Sequence, residues 1–80
     1  MQSGELFVTG KDSAQVLLLG FPSKVKVDFV GHTTVIPCNP HHYDQLEWDV
    51  QRSHAHHGGF TLVIKWVVTG VREIKWTVWY

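Results

Sequence analysis

The chain has 80 residues, seven basic and seven acidic side chains, zero formal net charge and one cysteine. That length makes a single domain, 1–80, with a small core. The charge balance excludes a basic nucleic-acid footprint and a polybasic membrane patch, and a lone Cys38 excludes an intrachain disulfide.

The first twenty residues lack the basic start and apolar centre of a secretory signal. With Met1 at its head, the chain is expected to be made without one. The longest apolar run, Val16 to Leu19 with Gly20 and Phe21 behind it, is too short to span a bilayer. From there on, apolar residues recur with period two. Val25, Val27 and Phe29 alternate with Lys24, Lys26 and Asp28, and Leu46, Trp48 and Val50 alternate with Glu47, Asp49 and Gln51. Phe60, Leu62, Ile64 and Trp66 share a phase, as do Ile74, Trp76, Val78 and Tyr80. Such alternation, rich in β-branched and aromatic residues, is that of half-buried strands. No stretch sustains helical spacing.

The breaks agree with this pattern. Gly10 to Ser13, Gly20 to Ser23, Gly31-His32, Asn39-Pro40 and Gly58-Gly59 read as turns, and Thr69-Gly70 reads as a tight hairpin. The sequence therefore predicts about six strands among the segments 4–9, 14–19, 24–30, 33–37, 45–54, 59–68 and 71–80. Short strands at regular spacing imply an all-β fold, a β-sandwich or a barrel. A core this small, with no disulfide, gains burial by oligomerising.

The order of these pieces resembles a known family. Gln2-Ser3-Gly4 opens the chain, and Phe21-Pro22 leads to Val25-x-Val27. Leu46-x-Trp48-x-Val50 is followed by Gly59-Phe60-Thr61-Leu62-x-Ile64, and Ile74-Lys75-Trp76-Thr77-Val78 closes the set. In this order and spacing the chain resembles the H-type lectin domain of snail agglutinins and of the discoidin C-terminal domain, which also occurs in phage tail fibres. The resemblance implies a six-stranded antiparallel sandwich assembled as a trimer. It also implies a galactose or N-acetylgalactosamine site near the protomer interfaces. Glu47 stands where the snail agglutinins carry an arginine, and Val67, not histidine, follows Trp66. The candidate contacts are therefore read from this chain's own residues.

Glu47 and Asp49 fall on one face of a strand, about 7 Å apart. Carboxylates accept paired hydroxyl donors well, so both are candidate sugar ligands. Their alternative role is pairing with Lys24, Lys26 or Arg52 on neighbouring strands. Aromatic faces stack on sugar C–H surfaces, which makes Trp66, close to the Thr69-Gly70 hairpin end and so partly exposed, the candidate platform and core packing its alternative. Trp48 and Trp76 are in phase with the core, whereas Trp79 is out of phase and expected at a surface or interface. Arg72 at the last hairpin and Asp12 in the first turn complete the candidate set. Sialic acid is disfavoured by the charge of Glu47.

Five of the six histidines fall between His41 and His57. His54 and His56 share a strand face, and three such pairs around a threefold axis would suit a transition metal; the plainer reading is a solvated loop. Cys38 lacks an orienting group and an oxyanion site, so it reads as a structural cysteine rather than a nucleophile. No other arrangement suggests an enzyme. The expectation is a trimeric glycan-binding module on an extracellular or virion surface, without membrane insertion or nucleic acid. The alternative is a structural virion or assembly protein that keeps the same scaffold.

Overall fold

A computed structural model describes residues 1–29, 32–36, 41–43, 45–52 and 58–80, with side chains for all but 32–36 and 41–43. The described chain is all strand and connection. Its elements are β1 (Gln2–Leu17), β2 (Lys24–Phe29), β3 (His32–Ile36), β4 (His41–Tyr43), β5 (Leu46–Arg52) and β6 (Phe60–Trp79). All belong to one antiparallel sheet ordered β3-β2-β6-β5-β4, with β1 along the other edge of β6. Among the described residues no helix is long and apolar enough to cross a membrane.

The expected six-stranded sandwich is not what forms. Segments 4–9 and 14–19 are one strand, β1, and segments 59–68 and 71–80 are one strand, β6. The body is built by four strands, β1, β2, β5 and β6, while β3 and β4 are short additions at the two ends of the strand order. The reason lies in two glycines read as turns. Gly10 and Gly70 have φ of 68° and 72°, the left-handed region that glycine enters without penalty. Both belong to one irregularity in the pairing of β1 with β6. Val8 pairs with Arg72 and Gly10 with Val68, so Thr9 alone stands against Thr69, Gly70 and Val71. This bulge bends both strands together instead of ending either.

The bend is sharp. Sixteen extended residues span roughly 53 Å, yet the longest dimension of the molecule is 36 Å. The two ends of β1 meet: Gln2 Nε2 donates to the Leu17 carbonyl at 3.0 Å. Nearby, the Leu18 amide donates to the Phe60 carbonyl at 2.9 Å. The sheet is thus doubled over, with one arm on β2 and the other on β5.

Doubling gives every alternate residue a place. Val25 and Val27 of β2, Ile74, Trp76 and Val78 of one β6 arm, Leu62, Ile64 and Trp66 of the other, and Leu46 and Trp48 of β5 are all buried in one cluster. Several are wholly inaccessible, including Val25, Val27, Leu62, Ile64, Ile74 and Val78. A sheet face is covered that completely only when another layer lies on it. The concave side of the doubled sheet is therefore the core, and the convex side carries the alternate polar residues. Two contacts lock the folded form. Trp66 Nε1 donates to the carbonyl of the bulged Thr9 at 3.4 Å, and Gly4 sits against the Trp76 indole, where no side chain would fit.

Candidate functional site

The convex face over β5 and β6 carries two of the candidate residues, Glu47 and Asp49. Strand alternation puts Glu47, Asp49 and Gln51 on the convex side of β5, since Leu46 and Trp48 point into the core. Antiparallel pairing sets Glu47 opposite Lys65, Asp49 opposite Val63 and Gln51 opposite Thr61. Directly opposed side chains on one face lie close enough to interact. Between them is a depression of about 40 Å³ lined by Glu47, Trp48, Asp49, Gln51, Val63 and Lys65.

The floor of this face is firm. Val63 and Thr61, although on the convex side, are each only 6% exposed. The Thr61 hydroxyl donates to the Gln51 carbonyl at 3.4 Å. The depression has room for only a few waters, far below the roughly 300–1,000 Å³ of pockets that engulf small molecules. A ligand here lies across the face and meets side-chain tips. What the tips offer is two carboxylates, an amide and an ammonium: acceptors and donors for neutral hydroxyl groups. Such a surface neither desolvates a general acid nor encloses a reacting bond.

The other candidate residues lie elsewhere. Trp66 is 8% exposed and on the concave side, with its indole nitrogen engaged by Thr9. It is on the opposite side of the sheet from Glu47 and Asp49 and offers no platform to a ligand there. The sequence suggested the platform because Thr69-Gly70 looked like a hairpin end; β6 runs through that point instead. Arg72 is exposed just beyond the bend, opposite Val8, and its Nη1 donates to the Val71 carbonyl at 3.2 Å. Asp12 lies within β1, not in a turn, and its Oδ1 accepts from the Ser13 amide at 2.8 Å. Asp12 and Arg72 flank the bend, so the five residues form no single constellation. His54 and His56, like Cys38, lie outside the described residues. Among the described residues no group of three or more His, Cys, Asp or Glu side chains is placed to hold a metal ion.

The cations named as alternative partners of Glu47 and Asp49 have contacts of their own. Lys24 and Lys26 sit on β2 in the other arm, where Lys26 Nζ lies 3.6 Å from Asp28 Oδ2 and Lys24 Nζ stands 4.1 Å over the Trp79 ring. Arg52 lies over Phe60, 5.8 Å from its ring centre. The cation across from Glu47 is Lys65. Its outward direction is readable from its position between Ile64 and Trp66; its partner is not, because register across strands is non-local. A wider, open trough of about 390 Å³ runs between the two strands of the other arm, lined by Ser3, Gly4, Glu5, Lys75, Trp76 and Thr77. There Glu5 pairs across the strands with Lys75, whose Nζ is also 3.7 Å from Glu73 Oε1.

Comparison of the chain with protein-family models, with curated proteins and with solved structures gives no match.

Proposed function

We propose that this domain is a non-catalytic carbohydrate-recognition module that reads galactose-type glycans through the convex face of β5 and β6. The supporting observation is the polar set Glu47, Asp49, Gln51 and Lys65 around a shallow depression on a rigid sheet. Sugar hydroxyls are recognised by such paired acceptors and donors, and a neutral ligand asks for no net charge. The ordered motifs that resemble the H-type lectins support the same reading. Without an aromatic platform each site binds weakly, at a roughly millimolar dissociation constant, or about −4 kcal/mol. Useful affinity then comes from several copies acting together on an extracellular or virion surface. The test is a glycan array probed with the clustered domain. Binding to terminal galactose or N-acetylgalactosamine supports the proposal, and a blank array overturns it.

A second reading, a structural virion or assembly protein, is favoured by a different observation. Leu17, Leu19, Phe21, Val67, Val71 and Phe7 are all more than half exposed, which suits protein contacts better than sugar.

A further inference from the structure

The doubled sheet has an open end, where both ends of β1 and of β6 come together opposite the bend. Exposed apolar side chains from separate parts of the chain gather there. Leu17, Leu19, Phe21 and Tyr80 are 51%, 79%, 60% and 43% exposed. The end is held in shape. The Leu19 amide donates to the Tyr80 hydroxyl at 2.9 Å, and that hydroxyl is itself hydrogen-bonded to Gln2 Oε1. Phe21 meets the edge of Phe60 with ring centres 5.2 Å apart. A preformed patch loses little conformational freedom when it is covered.

Its size fits one kind of cover. Taking roughly 150–250 Å² for each large side chain, the four expose about 500 Å². That is near one tenth of the 4951 Å² surface of the chain, the share that a stable protein interface takes from a small partner. Two such patches facing each other bury about 1,000 Å², at the threshold for a specific contact. The cations next to the patch, Lys24 and Arg52, are laid over Trp79 and Phe60 of their own chain. Neither of these two cations is placed over Leu19 or Phe21.

We infer that the open end is a self-association face and that its occupant is a second copy of this chain, each copy burying Leu19 and Phe21 against the other's end. The inference stands on the geometry of this end and not on the sugar reading. Its test reads mass alone, so either can fail without the other.

The experiment is light scattering on the purified chain across the micromolar range. It compares wild type, Leu19→Glu/Phe21→Glu, and a control, Phe7→Glu/Val67→Glu, which alters equally exposed side chains near the bend. Circular dichroism confirms that each variant keeps its sheet, which the exposure of all four positions predicts. The expected result is the twofold multiple of the chain mass for wild type and control, and a single chain mass for Leu19→Glu/Phe21→Glu. A monomeric wild type overturns the inference, as does a Leu19→Glu/Phe21→Glu variant that keeps the multiple or a control that loses it. Binding of monomeric wild type to anionic lipid vesicles, lost in Leu19→Glu/Phe21→Glu, also overturns it and names a lipid surface as the occupant.

Discussion

Gly4→Ala is the most informative single change in the fold. Gly4 pairs with Trp76 across β1 and β6, and Val27 pairs with Trp76 on its other side. A Cβ at Gly4 would stand 2.6 Å from Cζ2, 2.8 Å from Cε2 and 2.9 Å from Nε1 of the Trp76 indole. Carbon atoms are comfortable at about 3.5–4.0 Å, so the added methyl overlaps a rigid ring by about 1 Å. The ring cannot swing clear cheaply, because it is 8% exposed and packed in the core. Overpacking of this kind costs about 1–3 kcal/mol. Replacing glycine by alanine in an uncrowded strand position instead gains about 0.5–1 kcal/mol. The net prediction is a loss of about 1–2 kcal/mol, or roughly 5–15 °C in melting temperature for a domain of this size. Thermal unfolding followed by tryptophan fluorescence measures it. Gly20→Ala, where nothing lies within 4 Å, is the control and should leave the melting temperature unchanged or slightly raised. In a Trp76→Leu background the penalty at Gly4 should largely vanish, since the two residues are coupled by contact. A Gly4→Ala variant that melts at or above wild type would refute the close approach of β1 to the core indole.

Gly10→Ala and Gly70→Ala should each lower stability by about 1–2 kcal/mol through the left-handed backbone alone, with Asn milder than Ala at either site; chemical denaturation checks this, and a neutral Gly10→Ala would mean that the doubled sheet does not depend on that conformation. Trp66→Phe removes the hydrogen bond to the Thr9 carbonyl and should cost about 0.5–1.5 kcal/mol, plus the smaller ring's lost packing. It should leave glycan binding intact; loss of binding without loss of stability would return Trp66 to the site.

Much of this architecture is legible in the sequence because strand alternation is a local signal. The phase of Leu62, Ile64 and Trp66 places them on one side and Lys65 on the other, and the same phase puts Glu47 and Asp49 together. What alternation does not carry is continuity. A glycine at positive φ serves a hairpin turn and a bulged bend equally well, so Gly10 and Gly70 read as strand ends. Only the pairing of Val8 with Arg72 and Gly10 with Val68 reveals a bend shared by two long strands. The misplacement of Trp66 followed from that. Its phase already marked it as core, and the supposed hairpin beside it argued for exposure. The cross-strand partner of Glu47 was hidden for a related reason: register depends on where the whole of β6 lies. Trp79, out of phase with the core, is partly exposed with Lys24 over its ring.

The central claim is that the convex face of β5 and β6 contacts sugar. The most direct measurement is a titration of the isotope-labelled domain with galactose and N-acetylgalactosamine, followed by backbone amide chemical shifts. Saturable shifts are expected at millimolar sugar, confined to residues 47–51 of β5 and 61–65 of β6. Glu47→Ala and Asp49→Ala should each nearly abolish them, because one charged hydrogen bond is worth about 1.5–3 kcal/mol of a small total. No shift at tens of millimolar sugar, or shifts gathered at the bend or the open end instead, would contradict it.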